Sequence, residues 1–153
     1  MTDADIKEQG SLTGTEVELR ICADPAYLGV ARAAVRKVAE VFGLSEDKGE
    51  SVTLAVEEAL TNVIRHSYGG ACDKRIVLQL NRTECGDEKK AAMEVVIRDF
   101  GRVVAPESIK GRDLSEVRCG GMGVHIIHSL MDAIEFCPGD DCGMILRMVK
   151  YIN

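Results

Sequence analysis

Glu58 and Asn62 are the first residues whose types and spacing suggest chemistry, because they stand four positions apart in EEALTNVIRHSY, residues 57–68. In a helix such residues lie about 40° apart around the axis, so both side chains project together at the seam between core and solvent. A carboxylate and a carboxamide there suit a hydrated Mg²⁺ ion, and the carboxylate can also accept a proton. His66 extends the row and is expected to be structural, while Glu57 points to solvent. Taken alone, the pair is also what an ordinary helix boundary carries.

Asp99 is a second candidate, since it ends the apolar stretch AMEVVIRD, residues 92–99, and precedes Gly101 by two positions. An acid at a strand end can accept a hydrogen bond from an exocyclic amine, and the glycine lets a flat ring approach the backbone. The same D-x-G pattern also occurs in ordinary turns. A protein-kinase D-F-G motif is excluded, because the Gly-rich loop, the strand lysine and H-R-D are missing.

A third candidate is the glycine-rich start of a helix, GGMG at residues 120–123, followed by VHIIHSLMD. Free amides at a helix N-terminus carry partial positive charge, and glycines permit the close approach of a phosphate. Glycines also cap and turn helices, so the pattern alone is weak. It follows no strand and lacks the Walker lysine, which excludes the dinucleotide fingerprint and the P-loop.

Periodicity and capping residues predict the elements that must position these groups. The predicted order is a strand at 15–23, a helix from Asp24-Pro25 to Gly43, a helix from Ser45 to about Tyr68, strands at 75–82 and 92–99, a long loop at 100–120, a helix at 120–132, and a hairpin of strands at 133–137 and 143–152. This order indicates an α+β fold, a two-layer sandwich with helices on one face of a mixed sheet.

Length and composition bound the class of protein. The chain has 153 residues, 46% of them hydrophobic, which is enough for one domain with a core. A net charge of −6 argues against a general nucleic-acid-binding face. No apolar run approaches the roughly 18 residues of a membrane span, and the polar N-terminus is unlike a signal peptide. We therefore expect a cytoplasmic protein with reduced cysteines, a flexible leader at 1–14 and a single domain at 15–153.

The three motifs are more specific together than apart. E-x-x-x-N on a helix, D-x-G at a strand end and G-x-G opening a helix resemble, in this order, the ATP-binding boxes of the Bergerat fold shared by gyrase and histidine kinases. AVEEALTNVIRHSY (55–68) and GMGVHIIHSLMD (121–132) further resemble two helices of the anti-sigma-factor serine/threonine kinases, which are small stand-alone domains. The resemblance covers residues 15–150 and implies the histidine-kinase-like ATP-binding fold.

That resemblance also implies roles for individual residues. Glu58 would be the general base, Asn62 would hold Mg²⁺ against the phosphates of ATP, Asp99 would bind the adenine amino group, and Gly101 would make room for the base. Backbone amides of the glycine-rich helix start would meet the phosphates, and the stretch 102–120 would form a lid whose cations could neutralise the γ-phosphate. The residues concerned are Gly121 and Gly123 for the amides and Lys110, Arg112 and Arg118 for the cations, with Arg118 included in the nucleotide site.

Two positions depart from the family pattern. Val103 stands where a second glycine usually follows the first, so the backbone near the nucleotide is expected to be less open. The last strand of this fold often carries a Gly-Thr step near the adenine, whereas this chain has Gly143-Met144. A hydroxyl that helps to fix the base is therefore expected to be missing from that strand.

The resemblance implies an enzyme, namely a serine/threonine kinase that phosphorylates an anti-anti-sigma partner of the STAS type and sequesters a sigma factor. A nucleotide-binding sequestration module without appreciable transfer is the alternative, as is a histidine-kinase-like ATPase domain acting in trans. A homodimer could form through the first strand and the exposed side of the first helix. Neither direct nucleic-acid binding nor membrane insertion is expected.

Overall fold

A five-stranded sheet forms one layer of the protein. The computed structural model describes residues 15–101 and 121–153. The strands are β1 (Val17–Cys22), β2 (Arg75–Cys85), β3 (Lys90–Arg98), β4 (Ala133–Pro138) and β5 (Met144–Tyr151). They lie in the order β1-β2-β3-β5-β4, and every neighbouring pair is antiparallel. The predicted leader at 1–14 lies outside the described residues.

The two-layer α+β arrangement is confirmed, but the prediction of a mixed sheet is wrong for the described strands. β3 and β4 do run in the same direction, as strands joined through a helix usually do. They are not neighbours, however, because β5 lies between them and pairs antiparallel with both. Because β5 of the β4–β5 hairpin lies between β3 and β4, the sheet is antiparallel throughout the described strands.

Three helices cover one face of the sheet, and their ends match the capping residues in the sequence. The Asp24 side chain accepts a hydrogen bond from the Ala26 amide, and a 3₁₀ turn (Pro25–Tyr27) leads into α1 (Leu28–Phe42). Gly43, at a φ of 92°, ends α1 in the left-handed conformation that glycine adopts without strain. The Ser45 hydroxyl then accepts the Lys48 amide and begins α2 (Glu46–Asn62). A π-helical turn (Val63–Ser67) continues α2, and α3 is Gly121–Leu130.

The core lies between these helices and the inner face of the sheet. Alternate residues of the strands point inward, as the period of two requires. α2 packs against both α1 and α3, so its apolar stripe is buried from both sides. The fully buried large side chains include Val35, Val52, Val56, Leu60, Ile76, Leu78, Leu80, Met93, Val95, Ile97, Ile127 and Met148. The rigid packing of α2 fixes the position of the polar residues at its edge.

No helix within residues 15–101 and 121–153 combines the length and the apolar character that a membrane crossing needs. The five cysteines in these ranges are all free thiols: Cys22, Cys72, Cys85, Cys137 and Cys142.

Candidate functional site

Glu58 and Asn62 meet the beginning of α3 at Gly123. A Cβ on Gly123 would lie 3.1 Å from Asn62 Nδ2, 3.2 Å from Asn62 Oδ1 and 3.3 Å from Glu58 Oε2. Only the missing side chain of glycine lets the acid and the amide stand this close to the helix. Both side chains are half-buried. Glu58 and Asn62 therefore project together, as their spacing predicts, and both lie against Gly123; we call these three residues the acid–amide cluster.

Glu57, the acid next to Glu58 in the sequence, takes no part in the acid–amide cluster. Glu57 accepts a hydrogen bond from Arg32 of α1 at 2.9 Å, and the two form an ion pair on the outside of the helices. One of the two consecutive acids thus braces α2 against α1, while the other faces the first turn of α3. Gly121 is the first residue of α3, so the N-terminal amides of that helix belong to the same corner of the molecule.

Asp99 forms a second cluster where β3 ends. The residue is only 2% exposed, and its carboxylate is held by three donors. Oδ1 accepts from the Gly101 amide at 3.0 Å and from the Met144 amide at 3.3 Å, and Oδ2 accepts from the Ser67 hydroxyl at 3.3 Å. Burial raises the pKa of the Asp99 carboxyl above its ordinary value, and these hydrogen bonds oppose the rise.

Two glycines permit the close packing around Asp99. A Cβ on Gly101 would overlap the carbonyl oxygen of Ser67 and lie 2.9 Å from the Ser67 Cβ. Gly143, at a φ of +69°, lies against the backbone of Asp99, where a Cβ would overlap the Asp99 carbonyl oxygen. Asp99, Gly101 and Gly143 make up what we call the Asp99 cluster. The missing Cβ atoms of Gly101 and Gly143 therefore let the backbones of Ser67 and Asp99 pack tightly around this carboxylate.

The π-helical turn after Asn62 joins the two clusters and was not predicted from the sequence. The sequence predicts a regular helix to Tyr68, with His66 in the row of Glu58 and Asn62. In the structure the Tyr68 amide donates to the Val63 carbonyl at 3.1 Å, which is a bond across five residues, and His66 is exposed. The wider turn shifts the phase of the helix, so that Ser67 rather than His66 faces the functional edge.

Ser67 and Tyr68 are the residues that sequence reasoning missed. The Tyr68 hydroxyl donates to the Arg75 carbonyl at 2.7 Å and accepts from the Phe100 amide at 2.8 Å, so it pins the chain just after Asp99. The hydroxyl expected to be missing at Met144 has a counterpart in Ser67, which approaches Asp99 from α2 instead of β5. Neither residue has a local signal, since both contacts join segments about thirty residues apart.

The remaining predicted site residues lie outside the described part of the chain. They are Lys110, Arg112 and Arg118 in the stretch 102–120 that was interpreted as a lid, together with Val103.

Comparison with known proteins identifies a family for this chain. The family model described as "Histidine kinase-like ATPase domain" matches residues 21–150. A protein of Listeria innocua named serine-protein kinase RsbW is 30% identical over 146 residues, covering 90% of this chain and 88% of that protein. Its namesake in Halalkalibacterium halodurans is 27% identical over 147 residues, covering 90% of this chain and 83% of that protein.

Two solved structures share the fold at low sequence identity. One contains the RsbU and RsbW domains of a Mycobacterium tuberculosis protein, with a TM-score of 0.60 and 16% identity, over 89% of this chain and 32% of that one. The other is a SiaB–SiaC complex from Pseudomonas aeruginosa, with a TM-score of 0.62 and 10% identity, over 95% of each chain.

Proposed function

Because the chain belongs to the histidine kinase-like ATPase domain family, we propose that it is an ATP-dependent serine/threonine protein kinase that acts as an anti-sigma factor. Its substrate is an anti-anti-sigma protein of the STAS type. Relatives named serine-protein kinase RsbW match this chain over most of both lengths, which supports the activity. The observation that carries the proposal is the convergence of Glu58 and Asn62 on Gly123 at the start of α3.

The residues present fit an adenine nucleotide. The Asp99 carboxylate has four acceptor positions and three donors among residues 15–101 and 121–153, so with respect to these residues one position is left for an exocyclic amine. The amides at the start of α3, including those of Gly121 and Gly123, suit the phosphates. Asn62 offers a carboxamide oxygen to Mg²⁺, which would neutralise phosphate charge when bound.

Glu58 is the general base for the transfer in this proposal. It accepts the proton of the substrate serine hydroxyl as that oxygen forms a bond to the γ-phosphorus. The bond between the γ-phosphorus and the β,γ-bridging oxygen breaks, and ADP leaves with the electron pair. Glu57 cannot share this role, because the Arg32 ion pair holds it on the outside of α2.

Regulation would follow from exchange between partners. We propose that the protein works in the cytoplasm, binds a sigma factor in one state and releases it for the STAS partner in the other. Val30 and Val41 on α1 are 55% and 68% exposed, which leaves an apolar surface on that helix for a partner or for a second copy of this chain.

The experiment that tests the proposal is transfer of labelled phosphate from ATP, with Mg²⁺, to STAS proteins encoded in the same genome. We expect Glu58→Gln to lower transfer at least about a hundredfold, since positioned acid–base groups contribute about 10²–10⁴-fold. It should still bind ADP.

Glu57→Gln is the matched control, because it changes the adjacent acid and should keep transfer near the wild-type rate. If the wild-type protein binds ADP but transfers phosphate to none of these partners, the enzyme proposal fails. The protein would then be a sequestration module that uses nucleotide only as a ligand.

A further inference from the structure

The π-helical turn at Val63–Ser67 places two functional positions on one side of α2. In a regular α-helix, residues five apart are separated by about 140° around the axis, so Asn62 and Ser67 would face different directions. A hydrogen bond across five residues, such as that from Tyr68 to Val63, brings residues at this separation nearly above one another. One helix end therefore contributes Asn62 to the acid–amide cluster and Ser67 to the Asp99 cluster.

Ser67 contacts the Asp99 cluster in two ways. Its hydroxyl donates to Asp99 Oδ2 at 3.3 Å, and its backbone lies so close to Gly101 that no side chain would fit there. Oδ1 already accepts two backbone amides, so Ser67 is the side-chain donor among the described residues that fixes the orientation of Oδ2. Without this hydroxyl the carboxylate would be held through one oxygen only.

We propose that Ser67 is a positioning residue for the nucleotide base, which orients Asp99 Oδ2 to accept a hydrogen bond from an amino purine and to disfavour a keto purine. This inference rests on the proposed nucleotide site and deepens it. An amino group at the six position donates to the free lone pair of Oδ2, whereas a carbonyl oxygen there would face a second acceptor. Ser67 thus acts through Asp99 and need not touch the nucleotide.

The surroundings of Asp99 make its charge state sensitive to this hydroxyl. Burial raises the pKa of the Asp99 carboxyl, while hydrogen bonds from the Gly101 and Met144 amides and from Ser67 lower it. The adjacent Arg98 guanidinium also lowers it. The Tyr68 phenol faces Asp99 from the helix side, and burial raises the pKa of this phenol. The thiols of Cys72 and Cys142 lie near the same phenol. Removing the Ser67 hydroxyl therefore moves protonation of Asp99 to higher pH.

Calorimetric titration of the whole chain with ADP and Mg²⁺, between about pH 5.5 and 7.5, tests the inference. We expect Ser67→Ala to weaken ADP binding about tenfold at pH 7, as for the loss of one hydrogen bond to a charged group. The deficit should widen as the pH falls, because the protonated Asp99 presents a donor in place of an acceptor. The preference for ADP over GDP should narrow in the same variant.

Ser51→Ala is the matched control, since the Ser51 hydroxyl also lies on α2 but donates to the Asp47 carbonyl away from both clusters. Ser67→Cys provides a second variant of similar size with a weak donor, and we expect its ADP affinity and pH midpoint to fall between wild type and Ser67→Ala.

Different results would overturn the proposed nucleotide site and the proposed role of Ser67. A wild-type protein that does not bind ADP overturns the proposed function. A wild-type protein that binds ADP, together with a Ser67→Ala variant of equal affinity, equal pH profile and equal ADP preference, overturns the role of Ser67 alone.

Discussion

The acid–amide cluster and the Asp99 cluster use glycine for opposite purposes. At Gly123 the missing Cβ leaves space for the side chains of Glu58 and Asn62, which can shift by a few tenths of an ångström. At Gly143 the missing Cβ leaves space for the backbone of Asp99, which cannot shift without breaking the pairing of β3 with β5. The first glycine makes room for two side chains of the proposed site, and the second makes room for the backbone of the sheet.

Gly143→Ala should show the largest effect. Alanine is strained at a φ of +69°, and its methyl group would overlap the Asp99 carbonyl oxygen. We expect the free energy of unfolding in urea to fall by about 3 kcal/mol or more. Gly86→Ala is the matched control, because Gly86 has a φ of +76° with open space around it and should cost only about 1–2 kcal/mol. Equal losses in the two variants would mean that the contact with Asp99 is not tight.

Gly123→Ala should separate binding from stability. Alanine is favoured over glycine inside a helix by up to about 1 kcal/mol, so the free energy of unfolding should stay level or rise. The new methyl group would crowd Glu58 and Asn62, and we expect binding of ADP with Mg²⁺ to weaken about tenfold. Gly29→Ala in α1, with nothing near its Cβ, should gain stability without loss of affinity. If Gly123→Ala instead lowers the free energy of unfolding, Gly123 is required for the fold as Gly143 is, and the contrast between the two glycines is wrong.

Asp99→Asn should give the smallest change, and it concerns stability as a function of pH. Because burial raises the folded-state pKa of Asp99 above the ordinary 3.8, the charged form is disfavoured in the folded protein. Asp99 therefore destabilises the folded protein most at neutral pH. This destabilisation becomes smaller as the pH falls through the raised pKa of Asp99. Relative to Asp99→Asn, the wild-type protein should gain stability between pH 7 and 4.5 in urea titrations. A relative loss over this range would show that the hydrogen bonds outweigh burial.

Local sequence signals are sufficient for several helix ends and for the pairing of Glu58 with Asn62. Asp24, Gly43 and Ser45 mark helix ends through contacts within four residues of themselves, so the sequence predicts them correctly. Glu58 and Asn62 lie on one helix, and its period alone brings them together. Their meeting with Gly123 follows only once α2 packs against α3, which the family resemblance implied.

The other cluster depends on contacts that no local pattern contains. The π-helical turn has no sequence signature, and Ser67 meets Gly101 and Asp99 only because β3 ends beside α2. The insertion of β5 between β3 and β4 likewise depends on which strand edges meet, and for that reason the sequence predicts a mixed sheet where the described strands are all antiparallel. The sequence thus marks Asp99 and Gly101 as candidates but does not reveal the residues that hold them.

The position of β5 inside the sheet has a consequence for the order in which a growing chain matures. A nascent polypeptide that has emerged from the ribosome only as far as β4 has Asp99 but not yet the Met144 amide or the Gly143 backbone that enclose it. β3 then still has an open edge, and the carboxylate faces water. In the proposed function, recognition of a base therefore becomes possible only with β5, although β5 supplies the Met144 amide and none of the side-chain hydrogen bonds to Asp99 among the described residues.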